Sequence, residues 1–164
     1  MNDEPSRDAR GRSRRFDSLA QEAYLNLWRT YDRLRALEDE LFAQYGLTAQ
    51  QYNALRLLRG EHPRKLATLA LASRLVSRAP DITRMLDKLE ARSLVERERR
   101  NENRRVVLVG ITAAGEALLA DLHEKVQDCH ARQLGHMAPD DLKQLIALLY
   151  QARRPHEDSA GSWV

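Results

Sequence analysis

The chain has 164 residues, with 27 Lys and Arg against 24 Asp and Glu, so its formal net charge is +3. Hydrophobic residues make up 43% and charged residues 31%, a mixture too apolar for a disordered chain and too polar for a membrane protein. Residues 1–15 lack the apolar core of a signal peptide, and Cys129, the single cysteine, excludes an internal disulfide framework. We therefore expect a mostly helical cytoplasmic protein without a membrane partner.

The charge is unevenly distributed along the chain. Residues 59–109 hold 13 basic against 7 acidic side chains, a net charge of +6, so the remainder carries −3. A basic middle between acidic flanks is typical of a module that binds a polyanion such as nucleic acid. A solvated charged surface is the alternative explanation.

The N-terminal part combines a tail with a long helix. Residues 1–15 are polar and basic, which predicts a flexible tail. From Phe16 to Tyr45 apolar residues recur at steps of three and four, and Gly46 follows, which predicts one amphipathic helix over 16–45. A helix of this length cannot bury its apolar stripe on a small core alone, so we expect a partner helix, from this chain or from a second one, to cover it.

Three shorter helices are predicted next. Thr48 and Gln51 form a capping box that opens the first, with Tyr52, Leu55 and Leu58 inward. The second covers residues 68–75, with Leu69, Ala72 and Leu75 as its inner face. The third covers residues 77–92, with Pro80 in its first turn, where the missing N–H is tolerated.

The third helix is predicted to be amphipathic. Its inner face would carry Ile82, Leu86 and Leu89, and its outer face Asp81, Arg84 and Lys88.

Two short β-type runs, residues 94–98 and 105–109, flank a polar turn rich in arginine. Thr112 then caps a helix of about 25 residues, and Pro139 starts a last helix that Pro155 ends. Residues 154–164 are predicted to be a second flexible tail. The predicted fold is therefore mostly α with a small β-hairpin wing: a winged helix-turn-helix followed and preceded by longer helices.

This layout suits DNA, because a helix fits the major groove and presents its outer side chains to base edges. Arg78 and Arg84 are suited to guanine, and Lys88 to phosphate or guanine. Asp81 would repel phosphate, so it should face a cytosine amino group or organise a neighbouring arginine. The arginine-rich hairpin tip suits a narrow minor groove.

An ordered set of short stretches resembles the MarR (multiple antibiotic resistance regulator) family of transcription regulators. The matching stretches are residues 47–52 with Leu55 and Leu58, 71–72, 81–90, 92–97, 103–109 and 111–112 with Gly115. The long flanking helices resemble the family's dimerisation elements, so the similarity extends over 16–153, with 47–112 as the winged helix-turn-helix and 16–45 and 113–153 as dimerisation helices.

The resemblance implies a homodimer that binds a palindromic double-stranded operator, more often as a repressor. The positions matching the family's recognition helix are Ser77, Arg78, Ala79, Asp81, Thr83, Arg84 and Lys88. Arg104 or Arg100 corresponds to the wing arginine of the minor groove, and Arg105 to the arginine that holds the wing. The chain departs from the family pattern at two positions: Asn103 replaces an aspartate in the wing, and Ser93 replaces a glycine after the recognition helix.

A small-molecule effector is also implied, since the family often binds phenolic or aromatic compounds. Trp28, Tyr31 and Tyr52 could line such a pocket, and ordinary helix packing is the alternative explanation. No cofactor is predicted, and no motif of an enzyme is found.

Two other classes of function stay open. A winged-helix module could bind proteins without reading DNA. A metal-responsive regulator could use His123 and His130, which lie seven residues apart near Cys129 and His136, although no metal-ligand spacing supports a site. A redox role for Cys129 has no resolving cysteine to support it.

Overall fold

A computed structural model describes residues 16–76, 81–99 and 106–157. The predicted tail 1–15 and the end of the predicted C-terminal tail, 158–164, lie outside the described residues. The helices are α1 (Leu19–Ala43), α2 (Ala49–Glu61), α3 (Thr68–Arg74), α4 (Ile82–Ala91), α5 (Ala113–Leu134) and α6 (Pro139–Arg153), with a 3₁₀ turn at Arg154–His156. The strands are β1 (Leu66–Ala67), β2 (Val95–Arg99) and β3 (Val107–Ile111). The described residues confirm the mostly helical fold with a small β-wing, and none of their helices has the length and apolar character needed to cross a membrane.

The chain forms two compact units, residues 1–37 and residues 38–164, and the boundary falls within α1. In the first unit, α1 exposes most of its apolar stripe, including Trp28 at 60% and Tyr31 at 58%. The only residue of α1 that is buried is Phe42, which belongs to the second unit. The stripe that was predicted from residue spacing is therefore present as an uncovered helix face.

The second unit has one hydrophobic core, built from α2, α3, α4, α5 and the sheet. Apolar side chains recur at helical spacing in the helices and alternate in the strands, so each element turns one face inward. The most fully buried side chains are Leu55, Leu58, Leu71, Leu86, Leu89, Val95, Val109 and Leu122. The capping box of α2 is confirmed: Gln51 N donates to the Thr48 hydroxyl at 3.2 Å, and Thr48 N donates to the Gln51 amide oxygen at 2.9 Å.

Within the described residues the sheet has three strands, whereas two were predicted. All pairs are antiparallel in the order β1-β3-β2, with Leu66 opposite Val109 and Val95 opposite Ile111. The two-residue strand β1 was missed because two residues are too few to show an alternating pattern.

Two predictions about helix faces and ends were wrong. Leu69 was assigned to the inner face of α3, but it is 82% exposed, since the seven-residue helix buries Leu71 instead. The helix predicted over 77–92 begins at Ile82, because Asp81 has non-helical backbone angles (φ −140°, ψ 78°). Pro80, predicted to lie in its first turn, falls outside the described residues.

Ser93 ends α4 in the left-handed conformation, with φ of 57°. Its N–H donates to the carbonyl of Glu90 at 2.8 Å and the N–H of Leu94 to that of Leu89 at 3.0 Å, the pair of bonds of a Schellman cap. The cap geometry typical of glycine is therefore kept at Ser93, although the Cβ of serine disfavours the left-handed conformation.

We expect Ser93→Gly to stabilise the protein. The left-handed region costs a residue with a Cβ roughly 1–2 kcal/mol, and the greater freedom of glycine in the unfolded chain offsets roughly half of the gain. The free energy of unfolding should rise by about 0.5–1 kcal/mol in urea denaturation at fixed protein concentration. The control is Ser73→Gly within α3, which should destabilise the protein; equal or lower stability of Ser93→Gly would contradict the interpretation.

Candidate nucleic-acid interface

Helix α4 begins with an aspartate cap. The Asp81 carboxylate accepts from the backbone N–H of Arg84 at 2.9 Å, which satisfies one of the free donors at the helix start. This side chain therefore has a structural role within the described residues, and its direct contact with DNA stays a prediction.

The buried face of α4 determines which of its side chains are exposed. Met85, Leu86 and Leu89 are buried in the core, and because side chains four apart share a helix face, Arg84 and Lys88 stand together on the exposed side. Thr83 is also exposed. The structure thus brings together three of the residues predicted to contact DNA.

The acidic residues of α4 are paired with an arginine of the wing strand. Arg97 on β2 donates from Nη2 to Oδ1 of Asp87 at 2.6 Å and from Nε to Oε2 of Glu90 at 2.9 Å, and Nη2 also contacts Oε2 of Glu90. No carboxylate of the described residues holds the side chains of Arg84 or Lys88. The cations of α4 are therefore unpaired among the described residues, whereas its acids Asp87 and Glu90 share one guanidinium.

Sequence reasoning missed the role of Arg97. The residue stands in the alternating run Val95–Arg99, and its two partners lie on a helix that precedes the strand. The spacing of seven between Glu90 and Arg97 was a possible signal, although it becomes meaningful only once the chain turns back at Ser93.

A second cation fixes the base of the wing. Lys65 Nζ lies 2.8 Å from both Glu96 Oε1 and Glu98 Oε2, and the hydrogen bond with Glu96, followed by that with Glu98, raises the pKa of Lys65. The Thr68 hydroxyl donates to the carbonyl of Val107 at 3.1 Å. These contacts join the start of α3 to the hairpin β2–β3.

Several predicted site residues lie outside the described residues. They are Ser77, Arg78 and Ala79 before α4, and Arg100, Asn103, Arg104 and Arg105 in the segment that joins β2 to β3. The strands predicted over 94–98 and 105–109 lie at Val95–Arg99 and Val107–Ile111, so Arg99, predicted in the turn, belongs to β2.

The three aromatic residues predicted for an effector pocket divide between the two compact units. In the first, Trp28 lines an open cavity of about 710 Å³ together with Leu25 and Arg29, and Tyr31 is exposed. In the second, Tyr52 is half-buried and stacks on Phe42 with ring centroids 4.6 Å apart. Burial raises the pKa of Tyr52, so its hydroxyl is neutral at physiological pH.

The candidate metal and redox residues stand apart from this interface. Among residues 16–76, 81–99 and 106–157, no group of three or more His, Cys, Asp or Glu side chains is placed to hold a metal ion. His130 Nδ1 pairs with the Gln133 amide oxygen at 2.9 Å. Cys129 is buried and desolvation raises the pKa of its thiol, which is the opposite of what a reactive thiolate needs.

Comparison with known proteins identifies the family. Residues 47–107 match the model of the MarR family. The organic hydroperoxide resistance transcriptional regulator of Bacillus subtilis is 35% identical over 112 residues, which are 67% of this chain and 72% of that protein. The chain belongs to the MarR family. It is accordingly a DNA-binding transcription regulator of the winged-helix type.

Solved structures agree with this assignment. A MarR transcription factor from Planctomyces limnophilus is 60% identical with a TM-score of 0.68, and the match covers 84% of this chain and 99% of that one. A variant of MarR from E. coli, complexed with operator DNA, is 26% identical with a TM-score of 0.71, over 83% of this chain and 99% of that one. The winged-helix arrangement predicted from the sequence is thus shared with both.

The pair between Glu90 and Arg97 predicts a pH dependence. The Arg97 guanidinium, which donates to Glu90, holds the pKa of that carboxyl below its ordinary value of 4.5. Because the folded-state pKa is depressed, the stabilisation is present above about pH 4.5 and is lost as the pH falls through the folded-state value. When the pH is lowered from about 5 to about 3, the melting temperature of Glu90→Gln should therefore fall less than that of the wild type.

Circular dichroism melts across this range measure the effect. The matched control is Glu124→Gln, at an exposed carboxylate of α5 without an ion pair among the described residues. It should keep the wild-type dependence on pH. Identical curves for Glu90→Gln and Glu124→Gln would show that the pair with Arg97 does not stabilise the fold.

Proposed function

We propose that this regulator is a homodimer that binds a palindromic operator duplex, represses transcription, and is released by a small aromatic effector. The observation that carries the proposal is the charge arrangement of α4. Its acids Asp87 and Glu90 share an ion pair with Arg97, while Arg84 and Lys88 remain exposed on the opposite side from the core without an acidic partner among the described residues.

This arrangement supports insertion of α4 into the major groove. An α-helix fits that groove, arginine can donate two hydrogen bonds to guanine, and lysine can pair with phosphate or guanine. Unpaired acids on the same helix would repel the phosphates, and the ion pairs with Arg97 reduce that repulsion. We assign the contacts with DNA to Ser77, Arg78, Ala79, Asp81, Thr83, Arg84 and Lys88.

The wing would add contacts in the adjacent minor groove. Strand β2 ends at Arg99 and strand β3 begins at Val107, so the sequence between them includes Arg100, Arg104 and Arg105. A narrow minor groove has an enhanced negative potential that attracts arginine. We propose that this segment grips the duplex beside the site of α4.

The proposed dimer rests on two uncovered helix faces. In the first unit α1 exposes Leu19, Tyr24, Leu27, Trp28 and Tyr31, and in the second α6 exposes Ile146, Leu148 and Tyr150. Large contiguous apolar faces mark interaction sites. A second copy of the chain would cover them, and its two-fold symmetry would match a palindromic operator.

Release by an effector follows from the geometry of such a dimer. Two α4 helices must be about one helical turn, roughly 34 Å, apart to enter successive major grooves. An effector that favours a different spacing lowers the affinity for the operator. Trp28, Tyr31 and Tyr52 are our candidates for its aromatic contacts, which suggests small aromatic acids for a first screen.

The hydroperoxide response in the name of the Bacillus subtilis relative is not extended to this chain. A peroxide sensor based on a thiol needs an accessible thiolate. Cys129 is the single cysteine of the sequence, and it is buried in α5 with a raised pKa.

Selection of bound duplexes from random-sequence DNA tests the proposal directly, and the selected duplex then serves as a probe beside a scrambled duplex of equal composition. A regulator that contacts several phosphates should lose orders of magnitude in affinity between low and moderate salt. If no duplex were enriched and none bound at low salt, the chain would instead be a winged-helix module for protein partners.

We expect Arg84→Ala to weaken binding to the selected duplex by about 1–3 kcal/mol while the scrambled duplex is bound almost as before. If Lys88 contacts a phosphate, Lys88→Ala should weaken binding to both duplexes. The slope of log affinity against log salt concentration should then fall by about one. Competition gel shifts at several salt concentrations measure both effects.

The matched control is Arg132→Ala in the last turn of α5, which should leave both affinities unchanged. An Arg84→Ala variant with the wild-type preference for the selected duplex would refute the base contact.

We expect the double variant Trp28→Asp with Tyr150→Asp to dissociate the dimer. Each large apolar side chain that is buried contributes roughly 1.5–3 kcal/mol, so the dimer dissociation constant should rise by at least about a hundredfold. Sedimentation equilibrium measures the mass. The control is Leu69→Asp, at an exposed apolar position on α3, and this variant should keep the dimer mass. A monomeric wild type would overturn the proposed dimer.

A further inference from the structure

The turn that ends α1 presents two backbone carbonyls to the C-terminal end of α4. After Ala43 the chain closes through bonds from Tyr45 N to Phe42 O and from Gly46 N to Ala43 O, each 3.0 Å, and Gly46 takes a left-handed φ of 61°. The carbonyls of Tyr45 and Gly46 follow the helix and need donors from elsewhere.

Arg92 supplies both donors. Its Nη1 donates to the carbonyl of Gly46 at 2.7 Å and its Nη2 to the carbonyl of Tyr45 at 2.9 Å. The two partners lie 46 and 47 residues away in sequence. The guanidinium sits at the negative end of a helix dipole, which strengthens the contact.

The backbone around Arg92 is itself fixed, so the side chain acts on the helix and not on a loose loop. Arg92 is the C-cap residue of α4, and the Schellman bonds of Ser93 and Leu94 close the helix directly after it. The Thr112 hydroxyl donates to the carbonyl of Ser93 at 2.6 Å and accepts from the N–H of Gly115 at 3.1 Å. The end of α4 is thus hydrogen-bonded to the turn after α1 and to the start of α5.

We propose that Arg92 is a positioning residue: it holds the C-terminal end of α4 against the turn that ends α1, and so sets the direction in which α4 presents Arg84 to a duplex. The inference rests on the proposed function, because it assumes that α4 contacts bases. Arg92 itself is not assigned a contact with DNA, since both of its terminal nitrogens are engaged by carbonyls.

A small rotation at the C-terminal end of α4 produces a large displacement of Arg84. Arg84 lies eight residues before Arg92, a distance of about 12 Å along a helix. A rotation of about 10° at the C-terminal end would therefore move Arg84 by about 2 Å, which takes a base contact out of hydrogen-bond range. The apolar packing of Met85, Leu86 and Leu89 is non-directional and permits such rocking, whereas paired hydrogen bonds restrict it.

The decisive variant is Arg92→Lys, which keeps the charge but replaces the planar two-donor fork by a single ammonium group. We expect its affinity for the selected duplex to fall roughly tenfold. The affinity for the scrambled duplex, the salt slope and the dimer mass should stay at wild-type values. Arg132→Lys on α5 makes the same exchange at an exposed arginine and should change none of these quantities.

Two results would overturn the proposal. Full affinity of Arg92→Lys for the selected duplex would show that the fork is not needed. Equal weakening on both duplexes with a smaller salt slope in Arg92→Gln, and full recovery in Arg92→Lys, would make Arg92 a phosphate contact.

Amide hydrogen exchange of the free protein supplies a readout that does not involve DNA. Arg92→Lys should speed exchange along α4 and leave the amides of α2 unchanged, and equal protection of α4 in both proteins would also overturn the proposal. If the wild type binds no duplex, the proposed function fails, whereas the exchange experiment still reports whether Arg92 holds α4.

Discussion

The burial of one face of α4 is the constraint on which the rest of the interface depends. Met85, Leu86 and Leu89 enter the core of the second unit, and a helix with three residues committed inward has little freedom to rotate about its axis. The exposure of Arg84 and Lys88 follows from that rotation. So does the position of Asp87 and Glu90 within reach of Arg97 on the neighbouring strand. Apolar packing does not fix the direction of the helix axis. Hydrogen bonds at the two ends, made by Asp81 at the start and Arg92 at the end, restrict that direction.

Paired and unpaired cations have different roles in the second unit. Lys65, Arg74 and Arg97 are bound by carboxylates and join α2, α3, α4 and the sheet to one another. Exposed ion pairs of this kind contribute little to stability individually. Their effect on the interface is electrostatic, because they offset part of the negative charge of acids close to a surface that has to approach phosphates. A count of charges alone does not make this distinction, since it weighs a paired lysine and an unpaired one equally.

The uncovered apolar faces of α1 and α6 place a second requirement on the protein. Tyr24, Trp28 and Ile146 are exposed to water, and burying such apolar side chains in an interface is favourable. The proposed dimer would meet this requirement and would supply the two copies of α4 that a palindromic duplex needs. Assembly and DNA binding are then linked, because any change in the packing of the paired helices alters the spacing of the two α4 helices.

The sequence by itself determined the elements and most of their faces. The stripe of α1, the capping box at Thr48, the cap at Thr112 and the helix start at Pro139 are local patterns. They depend on helical periodicity and on hydrogen bonds between residues close in sequence. The ordered resemblance to the MarR family was likewise sufficient to predict a winged helix-turn-helix. Local reasoning failed where neighbours in space decide: Leu69 was placed inward because its spacing fits, but a seven-residue helix buries Leu71, and β1 exists only because β3 pairs with it.

The tertiary structure alone decided which charges are free and which are bound. Arg97 meets Asp87 and Glu90, and Arg92 meets the carbonyls of Tyr45 and Gly46, only after the chain has turned at Ser93 and α4 has packed against the core. The sequence did not indicate the partners of Arg92 and Arg97, because those partners are not their neighbours along the chain. Their different roles come from partners that are distant along the chain, and such contacts form only when the buried face of α4 is in place.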